Sequence, residues 1–506
     1  MKTAGGSPSS INRKLNKNMA KFYITTPIYY INAPPHIGHS YTNIAADTIA
    51  RFKRTAGDDV YFLTGTDEHG QKIAKSAKEA GLSEQEFSDR MASKFIELWK
   101  ALDVSYDDFI RTTEPRHIKA VQHALNIMRD NGDIYLGKYE GWYCTPCESF
   151  FMEGEGDNNL CPDCKRPLER ISEENYFLKL SKYQDWLIEH IKANPDFIKP
   201  VSRYNEVLSF LVNNKLGDLC VSRPRSRLSW GIDIPFSKEH VAYVWFDALI
   251  NYISAIGYAS DEAKFNKYWP ADIQLIGKDI IRHHAVYWPI MLKSLGLKLP
   301  KTIFAHGWWM INQAKMSKSR GNAVNPLDMA NTYGLDVYRY FLLRDVPFGL
   351  DGNFSDEAII KRYNSDLAND LGNLVHRTAT MIEKYYAGKV PAERRLPESP
   401  LNTEIEKLNT EVDASISQAD FSLALEKIWV IINQANKFIE DTKPWNLVKE
   451  KKREELECFI LLLVKVIRTV ALSLSAVMPQ AAGKISSQFD ADVIQKGTPL
   501  FPRIIS

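Results

Sequence analysis

Asn32-Ala33-Pro34-Pro35-His36-Ile37-Gly38-His39-Ser40 is the stretch on which the reading of this 506-residue chain turns. An apolar, β-rich segment, Phe22-Tyr23-Ile24-Thr25-Thr26, precedes it, and Ile44, Ala45, Thr48, Ile49 and Phe52 follow at helical spacing. The order is strand, tight loop, helix. Such a loop ends at a helix N-terminus, where unpaired backbone N–H groups and the positive end of the macrodipole favour an anion such as a phosphate. His36 and His39, three residues apart, can both face that anion as donors, and Gly38 leaves room for a flat ligand against the backbone. Incidental surface histidines beside a turn would look the same, so a second stretch has to decide.

That stretch is Lys315-Met316-Ser317-Lys318-Ser319-Arg320-Gly321, which puts two ammonium groups and two hydroxyls in one short loop. The composition suits a triphosphate whose charge shifts during reaction. Taken alone it is also a solvated basic turn. Between the two loops, Asp59-Val60-Tyr61-Phe62-Leu63-Thr64 reads as a buried strand that delivers Gly65-Thr66-Asp67-Glu68-His69-Gly70 at its C-terminal end. Ligands of open α/β sheets bind at that edge, so Asp67 is a candidate for holding an amine, with a turn or N-cap role as the alternative. Amphipathic helices are expected near 83–102 and 115–130.

Four of the six cysteines fall in two C-x2-C pairs, Cys144/Cys147 and Cys161/Cys164, thirteen residues apart. Four thiolates can close a tetrahedral zinc site with no position left for water, which makes the ion structural. Disulfides are the alternative, but nothing resembling a secretory segment precedes them. The surrounding Gly154, Gly156, Asp157, Asn158 and Asn159 mark a loop-rich insertion, taken as residues 134–230, that interrupts the sheet domain. Cys220 and Cys458 read as core thiols.

The composition, 44% hydrophobic and 25% charged with a net charge of +2, is that of a globular chain of several domains and gives no global case for nucleic-acid binding. Any RNA contact has to come from local patches such as Arg223, Arg225 and Arg227. The longest apolar run, 458–464, is stopped by Lys465 and Arg468, which excludes a membrane-spanning helix. Residues 1–20 are basic and Gly/Ser/Asn-rich, read as a disordered extension, with a targeting peptide as the alternative. Beyond Ser355 strand signals vanish. Ile360, Tyr363, Leu367, Leu371, Leu374, Thr378 and Met381 recur every three or four residues, as do runs over 421–439 and 454–477, predicting a helical bundle.

Together the two loops resemble the HIGH and KMSKS signatures of class I aminoacyl-tRNA synthetases. The entry Tyr23-Ile24-Thr25-Thr26-Pro27-Ile28-Tyr29-Tyr30, the Thr64-to-Gly70 segment and Tyr243-Val244-Trp245-Phe246-Asp247-Ala248 narrow the resemblance to the methionyl-tRNA synthetases, over nearly all of the chain from Lys21. It implies an α/β fold with a Rossmann-like parallel sheet (21–133 and 231–300), a zinc-binding connective insertion (134–230), a KMSKS and stem-contact region (301–354) and an all-α helical anticodon-binding domain (355–506). The large editing domain of the isoleucine, valine and leucine relatives is missing from the insertion, which counts against those specificities.

The implied reaction joins methionine to ATP and transfers the methionyl group to the 3′ end of tRNA(Met), the initiator form included. Pro35, His36, Gly38, His39, Lys315, Met316, Ser317, Lys318 and Ser319 would hold ATP, with His36, His39, Lys315 and Lys318 catalytic. Ile28, Tyr30, Asp67, Trp245, Ala248, Leu249, Tyr252 and His284 would form the methionine site. Asn373, Arg377 and Trp445 would read the anticodon. Mg2+ would accompany ATP, and a cytoplasmic monomer is expected. One departure stands out: the family usually has Phe before the pocket histidine, and this chain has His283-His284. A nucleotidyltransferase and a tRNA-binding relative that has lost catalysis are the rival readings.

Overall fold

The computed structural model describes residues 19–145, 149–151, 159–162, 165–311, 314–315, 324–392, 396 and 399–505. Its centre is a six-stranded parallel sheet built from β1 (Lys21–Tyr30), β2 (Asp59–Asp67), β3 (Asp108–Arg111), β4 (Ile198–Lys199), β5 (Ile273–Gly277) and β6 (Thr302–His306), in the order β3-β2-β1-β5-β6-β4. Both faces are covered, and alternate residues sort between them. Ile24, Val60, Phe62 and Leu275 face one apolar core, while Tyr23, Tyr61, Leu63 and Ile276 face the other. Near-continuous hydrophobic strands are what burial on both faces requires.

Pro27 breaks this alternation. Having no N–H to give the ladder, it is accommodated where the β1–β2 register slips: Thr25 pairs with Leu63, but Ile28 pairs with Gly65. The extra residue inverts the parity of the rest of the strand. Ile28 therefore packs on the side of Tyr23, and Tyr29 on the side of Ile24.

Helix α1 (Ile37–Thr55) connects β1 to β2. Helices Glu84–Ala101 and Pro115–Asp130 follow, the first capped by Ser83 and Glu86 in a reciprocal capping box. Strands Ile134–Cys144, Ser149–Phe151, Glu169–Leu178 and Leu219–Cys220 form a separate antiparallel sheet. Within the same 134–230 stretch, Ile198–Lys199 returns to the edge of the central sheet.

The C-terminal part is helical, with Asp356–Arg362, a π-helical stretch Tyr363–Gly372, Asn373–Tyr386, Pro400–Ser417, Phe421–Thr442, Arg453–Leu474 and Pro479–Phe489. Its apolar interior is continuous with the core around α1. At that junction an ion pair has both partners fully buried: Arg339 Nη2, on helix Leu335–Arg344, lies 2.6 Å from Asp47 Oδ2 on α1. The same guanidinium donates to the carbonyls of Val477 (2.8 Å) and Ala476 (3.0 Å), in the turn between helices Arg453–Leu474 and Pro479–Phe489. Among the described residues no helix is long and apolar enough to cross a membrane.

Candidate active site

Strand order reverses at β1. The chain leaves it one way to β2 and β3 and resumes on its other side with β5 and β6, so a crevice opens above the C-terminal ends of β1 and β5. His36 occupies the N-cap of α1 there, its Nδ1 accepting the N–H of Gly38 at 3.1 Å, and His39 Nδ1 accepts the N–H of His36 at 3.1 Å. This is a capping box built from two imidazoles, stacked with ring centroids 3.9 Å apart. Because each Nδ1 is an acceptor, each neutral ring carries its proton on Nε2. A Cβ on residue 38 would lie 3.0 Å from His36 Cε1, so glycine makes room for the histidine ring itself. Tyr29 underlies the pair, 4.7 Å from the His39 ring, with its hydroxyl accepting from Asn43 Nδ2 at 2.6 Å.

The facing wall comes from the end of β6. His36, Gly38 and Tyr41 line a small cleft with His306, Gly307 and Trp308. His306 Nδ1 donates to the Gly307 carbonyl (2.7 Å), which leaves Nε2 to accept from Thr42 Oγ1 (2.7 Å), and burial lowers the imidazole's pKa in keeping with that neutral form. Gly307 passes so close to the next segment that a Cβ there would sit 2.1 Å from Leu350 O. From the end of β5, Lys278 pairs with Asp351 at 2.6 Å and lies over the Trp308 ring, whose Nε1 donates to Asp279 (3.2 Å).

The side chains expected to enclose methionine gather on the face of the sheet opposite α1. Tyr30 pairs with Asp67 across β1 and β2, and Ile28, Tyr30, Trp245, Leu249 and Tyr252 belong to the core on that side of the sheet. Tyr252 donates its hydroxyl to His284 Nε2 at 2.7 Å, while His284 Nδ1 donates to Ile280 O at 2.9 Å. Burial drives the His284 pKa down to about 4, so the ring is neutral at physiological pH. Its neighbour His283 stacks on Trp245, centroids 3.6 Å apart, and burial next to His284 and Arg282 takes its pKa down to about 3. A neutral, flat imidazole thus occupies a position suited to an aromatic ring.

The family model described as tRNA synthetases class I (M) matches residues 22–170 and 166–379. The methionine–tRNA ligase of Clostridium tetani is 47% identical over 510 residues, covering 96% of this chain and 79% of the relative. The chain belongs to the methionine–tRNA ligases. The ligase of Thermotoga maritima is 49% identical over 471 residues, covering 92% of this chain and 74% of the relative. Mycobacterium tuberculosis methionyl-tRNA synthetase in complex with methionyl-adenylate matches with a TM-score of 0.92 at 42% identity, over 96% of this chain and 100% of that one. The apo form of the same synthetase gives 0.85 at 40% identity, over 97% and 99%.

Several positions singled out in the sequence of this ligase lie outside the described residues: Met316, Ser317, Lys318, Ser319, Cys147, Cys164 and most of 1–20. Lys315 is described through its backbone, in the short strand Ala314–Lys315. Cys144 and Cys161 are buried and meet in one small cluster with Leu168. Cys161 sits in a tight turn, its N–H bonded to Arg166 O (2.8 Å) and its carbonyl to Lys165 N (2.9 Å). Cys220 is a core thiol whose pKa burial raises to about 12.

In the bundle Arg377 pairs with Glu440 (2.6 Å), on the helix that leads directly into Trp445. Asn373 is exposed one turn before Arg377, and Trp445 is 42% exposed. The arginine patch is corrected. Arg223 is buried against Tyr143 and paired with Glu173 (3.0 Å), Arg225 pairs with Asp233, and Arg227 with Glu169 (3.1 Å), so a carboxylate engages each of the three.

Two features of the site were missed in sequence. One is the Pro27 bulge, for which a proline inside an apolar strand was the available signal. The other is a buried carboxylate, Asp247, between His69 and His117, signalled by an acid inside the apolar run Val244–Leu249. Burial works to raise its pKa, but His69 and His117 outweigh that and hold the carboxyl below the ordinary range.

Proposed function

We infer that this chain activates methionine with ATP, releasing pyrophosphate, and transfers the methionyl group from the adenylate to the 3′ end of tRNA(Met), in initiation and elongation alike. The observation that carries the reading is the imidazole-capped N-terminus of α1 at the switch-point crevice of a methionine–tRNA ligase. In-line attack of the amino-acid carboxylate on the α-phosphate needs no protein nucleophile, so the work is positioning and charge stabilisation. His36 and His39 would donate through Nε2 to the phosphates, with Pro35 and Gly38 shaping the loop. Lys315 and Lys318, with Met316, Ser317 and Ser319, would stabilise the departing pyrophosphate. Mg2+ would accompany the nucleotide.

For methionine, Asp67 would take the ammonium group, and Ile28, Tyr30, Trp245, Ala248, Leu249, Tyr252 and His284 would enclose the thioether, which packs well against ring edges. The neutral Tyr252–His284 pair supports this reading, since a charged group there would oppose an apolar side chain. The cysteine set fits one zinc ion. Two buried thiols in a cluster with little other core are what a metal-stapled insertion requires. Cys144, Cys147, Cys161 and Cys164 would hold the ion, which supplies stability and no chemistry.

Asn373, Arg377 and Trp445 would recognise unstacked anticodon bases through an amide, a guanidinium and an indole face. The exposure of Trp445 supports that role. The division into a split catalytic unit (21–133 and 231–300), insertion (134–230), lysine-loop region (301–354) and anticodon-binding bundle (355–506) belongs to the same proposal, as do a monomeric state and a cytoplasmic location.

Methionine-dependent pyrophosphate exchange, measured beside charging of tRNA(Met), tests the reading. Exchange and charging together are expected. Binding of tRNA without exchange would indicate a relative that has lost catalysis, and nucleotidyl transfer to another acceptor without charging would indicate a nucleotidyltransferase.

A further inference from the structure

Beside the residues proposed to hold methionine, four side chains form a continuous polar chain. His69 Nδ1 lies 2.6 Å from Asp247 Oδ2, and His117 Nε2 lies 2.7 Å from Asp247 Oδ1. His117 Nδ1 lies 2.8 Å from Ser254 Oγ, which is 3.3 Å from the Asn251 carbonyl. All four side chains are buried, and they come from the loop after β2, helix Pro115–Asp130 and helices Val244–Leu249 and Asn251–Ser254. Desolvating a carboxylate costs more than its bonds commonly return, and a well-packed apolar substitute is often as stable. The arrangement therefore calls for a role other than stability.

The neighbours of these residues point to one. His69 stands two positions after Asp67, and Asp247 lies between Trp245 and Ala248, so the His69–Asp247 bond ties the end of β2 to the helix of the pocket wall. The intervening Glu68 is fixed independently: Arg111 grips it through two bonds (2.7 and 2.9 Å), and Thr66 (2.6 Å) and Thr113 (2.7 Å) donate to it. Trp230 Nε1 holds the Glu68 carbonyl (2.7 Å), and its ring lies 5.3 Å from that of His69. Asp67, the last residue of β2, is thus held by the strand on one side and by two anchored residues, Glu68 and His69, on the other.

We propose that His69 and Asp247 are positioning residues for the substrate's α-ammonium group: their bond fixes the distance between the Asp67 carboxylate and the Trp245 helix, so that ammonium and side chain are read together. The inference rests on the reading of Asp67 as the partner of the ammonium. His117 and Ser254 orient the Asp247 carboxylate from behind and hold its second oxygen.

Comparing methionine with its desamino analogue, 4-(methylthio)butanoate, tests this in the full-length enzyme. The analogue keeps the thioether and carboxylate but lacks the ammonium, and it serves as a competitive inhibitor of methionine-dependent pyrophosphate exchange. In His69→Ala and in Asp247→Asn the preference for methionine over the analogue should fall by about ten- to a hundredfold, as expected when a binding group is misplaced by an ångström or less. The inhibition constant of the analogue and the KM for ATP should stay at wild-type values. His69→Asn, which can return an N–H to the place of Nδ1, should restore most of the preference. Should Asp247→Asn not fold, the two His69 variants carry the comparison without it, with thermal unfolding read beside them.

Equal weakening of both ligands, or an unchanged preference, overturns the proposal, because damage to the pocket wall alone would not distinguish an ammonium. Asp67→Asn separates the two readings. If it abolishes the preference while His69→Ala does not, the positioning role fails and Asp67 stands; if it leaves the preference intact, both fail.

Discussion

Replacing Arg339 with Met is expected to cost about 3 kcal/mol, the lower end of the range for removing one partner of a buried ion pair. The lower end applies because Asp47 keeps other partners: Arg51 Nε at 2.7 Å, and the Ser105 N–H and hydroxyl at 2.7 and 2.6 Å. What remains is a buried carboxylate without its nearest guanidinium and two carbonyls, of Ala476 and Val477, without their donor. Urea unfolding of the wild type, Arg339→Met, Asp47→Asn and the double variant, read at the same transition, isolates the coupling. The double variant should lose less than the sum of the singles.

The cost should also depend on pH in a defined direction. Burial pushes the Asp47 carboxyl up, but Arg339, Arg51 and the Ser105 bonds together bring it below its ordinary value. Its contribution is therefore complete above the unfolded carboxylate pKa of about 3.9 and is lost as pH falls through the lower folded value. Without Arg339 the opposing effect of burial is less offset, so the deficit of the variant should be small in acid and grow as pH rises to neutrality. A loss below about 1 kcal/mol, as for an exposed pair, or a deficit independent of pH between 3 and 7, would refute the reasoning.

Trp445→Ala should weaken tRNA charging by the equivalent of roughly 1 to 3 kcal/mol or more while leaving methionine-dependent exchange near wild type; parallel loss of both, with a lower melting temperature, would make the indole a structural anchor. Lys318→Ala should slow adenylate formation by on the order of 3 kcal/mol with little change in methionine affinity, and pre-steady-state kinetics showing only weaker binding would exclude the assigned role. Metal analysis of purified protein should find about one zinc per chain, removed by chelation with loss of the insertion's fold, whereas two disulfides and no zinc would sink the cysteine assignment. Gly307→Ala should cost about 1 to 3 kcal/mol of stability through the Leu350 carbonyl and raise KM for ATP more than for methionine, and a neutral outcome in both would mean that the segment yields.

The parallel sheet was legible because its strands are apolar runs at fixed places in a strand–loop–helix order, and the bundle because its period changes from two to about 3.6 near Ser355. The imidazole capping box was only half legible. Spacing placed His36 and His39 at a helix N-terminus, but the rings turned out to cap the backbone through Nδ1, and the space granted by Gly38 goes to His36 itself. Local pattern cannot report a contact made by a side chain folding back on its own turn. The arginine patch failed for a related reason, since three arginines in five positions look like a surface stripe until the antiparallel strands of the insertion bring Glu169 and Glu173 beside them. Asp247 with its two histidines spans 178 residues between His69 and Asp247, and nothing periodic announces such a meeting.

The position of β1 at the centre of the sheet also sets an order on synthesis. Tyr23 N donates to Asp272 Oδ2, 249 residues later, and one whole edge of β1 has its partner only in β5. At about 5 to 20 residues per second, that edge waits on the order of ten seconds or longer for the strand that covers it. Throughout that interval a nascent chain carries an apolar strand with unmatched backbone groups, a template for wrong pairing with another copy. Helix α1 and β2 emerge early enough to cover one face and one edge. The crevice cannot close over a ligand until β6 has also left the ribosome, so a chain truncated between Asp67 and Ile273 should aggregate and should not fold into a smaller, working unit.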